Sequence, residues 1–342
     1  QRFDPATLHM TLLDPLLSPK IFKPIDIIFA QTYSDKEEIQ LLLACVMAAS
    51  REGHICFDLE HPPFALSQEH CEKLKQAALS PILPEAIVKL DTLFYLSKNW
   101  EFETRILEKL LSYTIKPSSL DISLSPLLTK EQQQAIILAL CSPISLITGG
   151  PGTGKTFVVK HLLEAFGDNK QVILTAPTGK AVCRLKQLNP YIRCQTLHAL
   201  LGIRNAQDLQ KKGSLLEADL IVVDESSMID IKLFSYFLNS LQEKTKVVFL
   251  GDADQLPPVE SGSLFGDLLT LLPTAKLSLC LRSNQQEILT KAQEIKEGKC
   301  SFTLEESLEL FSYAQQQFPV FSLKQSPILF DSFRMLSCVR EG

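Results

Sequence analysis

The chain has 342 residues, 45% of them hydrophobic and 21% charged, which is the composition of a soluble globular protein with room for two or three domains. No apolar run reaches the roughly 18 residues a membrane helix needs, and the first polar stretch is not preceded by a signal peptide. Nine cysteines without a C-x-x-C pair or a Cys/His cluster exclude a zinc module and read as reduced, structural thiols of a cytoplasmic chain, and the formal charge of −5 excludes a global basic field for nucleic acid.

The first third has its own character. Residues 1–33 mix proline with short apolar pairs and show no clean period. The pattern predicts a helix over 35–49, a turn into a short strand over 53–59, a second helix over about 67–79, a strand over 91–97 and an amphipathic helix over 101–113. Ile106, Leu107, Leu110 and Leu111 form the apolar side of that last helix. His54 and Trp100 are read as packing residues of a small mixed domain. The whole net charge of −5 lies within residues 1–125, so residues 1–122 are expected to form a mostly helical domain that docks on a protein partner rather than on DNA.

Residues 116–127, rich in Ser and Pro, read as a linker. Beyond it apolar runs recur at 144–147, 172–174, 220–223, 246–250 and 277–281, each separated by enough chain for a crossover helix. That is an α/β fold with a parallel, doubly wound sheet, whose ligands sit at the carboxyl ends of the strands.

The loops after these strands carry the chemistry. Before the first of them, Gln132 has the paired donor and acceptor to read adenine, and a solvated side chain is the alternative for any of Gln132, Gln133 and Gln134. Gly149-Gly150-Pro151-Gly152-Thr153-Gly154-Lys155-Thr156 follows the first strand and fits G-x-x-x-x-G-K-[ST] at every position. Its backbone N–H groups and the following helix N-terminus cradle phosphate, Lys155 reaches the β/γ-phosphates of ATP, and Thr156 holds Mg²⁺ through its hydroxyl. Thr178, Gly179 and Lys180 follow the second strand as a phosphodiester-binding loop, which Thr196 and His198 extend; His198 divides evenly between that role and core packing. Residues 220–223 end in Asp224, a Mg²⁺ carboxylate, and Glu225, which orients and deprotonates the water attacking the γ-phosphate. After the next strand the polar loop 251–258 places Gln255 as a γ-phosphate sensor.

Taken in this order the segments resemble the motor core of superfamily 1 helicases. The glutamine segment resembles the Q motif, residues 149–156 motif I, 175–181 motif Ia, 222–228 motif II and 250–257 motif III. Residues 176–181, 196–202 and 251–262 are similar to the RecD-type helicases, the alpha subunits of exodeoxyribonuclease V. So are two segments outside the motor, Gly53-His54-Ile55-Cys56 and Leu93-Phe94-Tyr95-Leu96 with Trp100 and Glu103. The resemblance implies a RecA-like P-loop domain over 123–282, 5′→3′ movement on single-stranded DNA, and RecB-like and RecC-like partners in a heterotrimer that acts in double-strand-break repair. It also implies that Arg282, flanked here by Leu281 and Ser283 where the family favours aromatics, reaches the γ-phosphate.

By the same resemblance residues 283–342 begin a second motor domain without motifs V and VI, when such a domain needs on the order of 100 residues. This chain alone is therefore expected to bind Mg²⁺-ATP weakly, hydrolyse it slowly and unwind nothing, with Phe302, Phe311, Phe318, Phe321 and Phe330 short of partners. No nuclease site is read, so exonuclease activity is expected in another subunit. The rival readings are an ATP-binding, non-translocating structural subunit and a P-loop ATPase acting on protein.

Overall fold

The computed structural model describes residues 21–113, 124–167, 169–205, 215–255, 262 and 264–279, all within one compact unit that ends at Arg282. The expectations for Arg282, the five C-terminal phenylalanines and most of the 116–127 linker lie outside these residues. No helix among the described residues is long and apolar enough to cross a membrane.

Four of the five apolar runs become strands of one six-stranded, all-parallel sheet: β4 (Ile144–Gly149), β5 (Val172–Ala176), β6 (Arg193–Thr196), β7 (Leu220–Val223), β8 (Lys246–Gly251) and β9 (Thr274–Leu277), in spatial order β6-β5-β7-β8-β4-β9. Alternate side chains of each strand enter opposite cores. Leu220, Val222, Val248 and Leu250 pack with helices α5 (Lys130–Cys141), α6 (Lys155–Phe166) and α7 (Gly179–Leu188). Ile221, Val223, Val247 and Phe249 face α8 (Leu197–Leu200), α9 (Ile231–Asn239) and α10 (Leu264–Leu271). Burial on both faces explains why these strands are continuous apolar runs without alternation. Two edges depart from expectation. β6 is short and polar, so it carries no apolar signal, and β9 occupies 274–277, overlapping the 277–281 run only at Leu277.

The N-terminal part has helices α1 (Pro24–Tyr33), α2 (Glu37–Arg51), α3 (Gln68–Ala78) and α4 (Ser97–Ser112), with an antiparallel sheet of β1 (Cys56–Asp58), β2 (Ile87–Leu90) and β3 (Leu93–Leu96) ordered β1-β3-β2. Helix α1 breaks the apolar period with Asp26, which is 0% exposed because it accepts from Lys23 N at 2.8 Å and pairs with Arg51 at 3.0 Å. That buried ion pair fastens α1 to α2 and conceals the helix from a periodicity search. Strand β2, also unexpected, joins β3 through Asp91, whose φ of +52° makes the tight turn. Trp100 packs edge-on against Tyr95, with ring centroids 5.1 Å apart, whereas His54 is exposed rather than packed.

Helix α4 does not stay within this small core. It lies along α9, with Ile106 2% exposed in the same cluster as Phe234, Phe237 and Phe249. Lys109 Nζ donates to Leu241 O at 3.2 Å and Tyr113 OH to Gln242 O at 3.4 Å. The buried side of α4 is therefore Phe102, Ile106, Leu110 and Tyr113, while Leu107 and Leu111, expected on it, are exposed. An Ile106→Ala exchange should cost about 2–5 kcal/mol in denaturant unfolding, the usual range for emptying such a core position.

Candidate nucleotide and nucleic-acid site

Three strand ends build the site. The loop after β4 turns through Gly154 at φ +85°, which caps α6 in a backbone conformation a side chain disfavours. Thr153 Oγ1 donates to Gly150 O at 2.9 Å, and Lys155 Nζ donates to Gly149 O and, at 3.1 Å, to Gly150 O. Burial pulls the Lys155 ammonium below its ordinary pKa, opposed by the carboxylates of Asp252, Asp224 and Glu225.

Gln132 is 2% exposed and both ends of its amide are engaged. Its Oε1 accepts from Thr129 N at 3.1 Å, while Thr129 Oγ1 accepts from Gln132 N at 3.3 Å, a reciprocal cap at the start of α5. Its Nε2 donates to Thr153 O at 3.3 Å. In this structure Gln132 braces the phosphate loop from below, a role its sequence position did not suggest.

At the end of β7, Asp224 N donates to Thr175 O at 2.8 Å, which continues the ladder with β5. Its Oδ1 accepts from Glu225 N at 2.9 Å. Burial holds the Asp224 carboxyl above the usual range, with that hydrogen bond and the nearby cations pulling the other way. Glu225 adopts φ +53°, a left-handed conformation that costs a non-glycine residue energy and turns the chain into the 3-10 turn Ser226–Met228. At the end of β8, Asp252 is 4% exposed and accepts from Asp254 N at 3.2 Å and from Gln255 Nε2 at 3.5 Å.

Lys155, Asp224, Glu225 and Gln255 line one cavity of about 530 Å³, which residues 150–157 and Arg184 complete. A larger cavity of about 900 Å³ lies at the amino ends of β5 and β6, lined by Lys160, Tyr191 and Arg193 among others. Volume does not decide between them. Only the smaller one has a phosphate loop facing carboxylates at strand carboxyl ends, where α/β sheets hold ligands. Arg184 is the residue sequence reasoning missed here. It stands one turn beyond Lys180 on α7, so the i, i+4 spacing from the loop 178–180 was the available signal.

The five candidate DNA residues come together at the carboxyl ends of neighbouring strands, since Ala176 of β5 pairs with Thr196 of β6. Gly179, Lys180 and His198 are exposed. Thr178 and Thr196 cap α7 and α8, accepting from Ala181 N at 3.3 Å and Ala199 N at 3.2 Å. Thr178 Oγ1 also donates to Glu225 Oε2 at 3.2 Å, so the loop touches the carboxylate directly.

The family described as "AAA domain" matches residues 127–314, more than half of the chain. The chain belongs to the AAA domain family. The RecBCD enzyme subunit RecD of Buchnera aphidicola (Schizaphis graminum) is 34% identical over 307 residues, which span 74% of this chain and 51% of that protein. The same-named subunit of Mycolicibacterium smegmatis is 29% identical over 76% of this chain and 54% of that protein. The ATP-dependent RecD2 DNA helicase of Deinococcus radiodurans is 34% identical over 48% of this chain and 23% of that protein. The chain spans about half the length of the RecD subunits it matches. The AAA match starts before α5 and so takes in every strand end that lines the cavity.

Proposed function

We propose that this chain is an ATP-driven DNA helicase subunit of a RecBCD-type exodeoxyribonuclease V, moving 5′→3′ on single-stranded DNA in double-strand-break repair. One observation carries the reading: Lys155, Thr156, Asp224, Glu225 and Gln255 face one cavity, and Thr178 of the exposed phosphodiester loop is hydrogen-bonded to Glu225. The RecD and RecD2 names of its relatives support the same reaction.

The oxygen donors present suit Mg²⁺. Asp224 has one hydrogen bond at Oδ1 and stands in the same cavity as the Thr156 hydroxyl, and hard cations take carboxylate and hydroxyl oxygens. When bound, the ion would neutralise charge on the β- and γ-phosphates. Residues 149–156 hold the triphosphate by backbone N–H groups and by Lys155. Glu225 orients the attacking water and takes its proton, Gln255 answers to the γ-phosphate, and Arg282 adds a cation from beyond the described residues. Lys180, Gly179, Thr178, Thr196 and His198 contact the DNA backbone. Residues 1–122 dock on RecB-like and RecC-like partners in a cytoplasmic complex.

The test is ATP hydrolysis by the chain with and without single-stranded oligomers, read as a ratio. DNA should raise the rate; stimulation by a protein partner alone would overturn the reading. Lys180→Ala should weaken single-stranded DNA binding equally for all sequences and reduce the salt slope by about one charge.

A further inference from the structure

The nucleotide cavity is braced from the N-terminal domain through α10. Gly262, just before this helix, donates its N–H to Gly53 O at 2.8 Å. Its φ is +89°, and a Cβ there would come within 2.8 Å of Ile231 Cβ and 3.0 Å of Ile55 Cγ1. The position is a slot cut for glycine between a residue of α9 and a residue of the turn before β1.

On α10 itself, Phe265 is 2% exposed and lies on the end of β8, where a Cβ on Gly251 would meet three atoms of its ring at 2.6–2.9 Å. Gly251 is followed by Asp252, whose carboxylate accepts from Gln255 Nε2. The same helix packs on the turn Ser226–Met228 that follows Glu225. A third N-terminal group, Glu103 of α4, faces Asp267 of α10; burial raises both carboxyls, and Glu103 Oε2 is buried without a hydrogen-bond partner. Helix α10 thus touches the N-terminal domain on one side and, on the other, both strand ends that carry Glu225 and Gln255.

We infer that Gly53 and Ile55 are positioning residues for the γ-phosphate response, acting on Gln255 through Gly262, Phe265 and Gly251. The N-terminal domain is then a working part of the ATPase as well as a docking module. Close packing supports such a path, because neighbours of this kind shift together rather than yield independently. The inference rests on the reading that the cavity holds ATP with Gln255 toward the γ-phosphate.

The experiment measures Mg²⁺-dependent affinity of the full chain for ADP and for AMP-PNP, which differ in the γ-phosphate. Gln255→Ala is expected to lower AMP-PNP affinity selectively. Ile55→Ala and Gly262→Ala should do the same, losing roughly tenfold for AMP-PNP with ADP affinity unchanged, a modest share of the ~10²-fold that a displaced group can cost. Ile55→Ala is the milder exchange and reads out the path even where Gly262→Ala disturbs folding. A wild-type AMP-PNP/ADP ratio in folded Ile55→Ala, or an equal loss of both nucleotides, would overturn this inference alone. No nucleotide binding by the wild-type chain, or an unchanged ratio in Gln255→Ala, would overturn the cavity reading and the inference with it.

Discussion

Glu225→Gln is expected to leave nucleotide affinity within a few-fold of wild type and to lower the rate of ATP hydrolysis by roughly 10²–10⁴, the usual worth of a positioned general base. The exchange keeps shape and removes only charge and basicity. Thr178 Oγ1 donates to Glu225 Oε2, and an amide oxygen in the same place still accepts that bond, without the added strength of a charged acceptor. The left-handed backbone at residue 225 is set by the turn Ser226–Met228, with Ser226 Oγ donating to Val223 O at 2.8 Å, and glutamine meets the same backbone cost as glutamate. Binding of AMP-PNP measured beside steady-state turnover checks the split. Equal loss of affinity and turnover would make Glu225 a ligand of the nucleotide or its metal instead of the base.

The site was legible in the sequence to the extent that its parts are local. A phosphate loop is eight consecutive residues between a strand and a helix, and Asp224 and Glu225 end a strand whose four residues are all buried, so chain order alone placed them. What escaped depends on contacts distant in sequence. Asp26 reads as an interruption of α1 until Arg51 is seen to neutralise it. Strand β6 is made a strand by its neighbour β5, not by its own composition. Gln132 has the donor and acceptor that suit adenine, yet its partners are Thr129 and Thr153, one of them 21 residues away. Ile106 and Leu107 both read as the apolar side of α4, and it is α9, more than a hundred residues later, that buries the first and leaves the second exposed. An acidic domain without a basic stripe reads as a docking module, whereas α4 and the 53–55 turn also complete the core beneath the parallel sheet.

Lys155→Ala should reduce hydrolysis by at least the roughly 10²–10³ that follows removal of one preorganised charge donor, while thermal unfolding moves by only a few degrees. The side chain is half-buried but takes no part in the apolar clusters, so its removal empties no core. Its contribution is electrostatic. The ammonium donates to the carbonyls of Gly149 and Gly150, within reach of the negative charge on Asp252, Asp224 and Glu225. Without it the cavity keeps its carboxylates and loses the cation that offsets them, which disfavours an incoming triphosphate before any chemistry begins. The Asp224 carboxyl, already above its usual range through burial, loses a neighbour that holds it down, so its deprotonation moves to higher pH. The sign is fixed: a metal-binding carboxylate that titrates later needs more alkaline solution to bind Mg²⁺ at a given concentration. Residual hydrolysis by Lys155→Ala should therefore rise with pH across a range in which wild-type hydrolysis is already level, and coincident pH profiles would show that Lys155 does not act on Asp224.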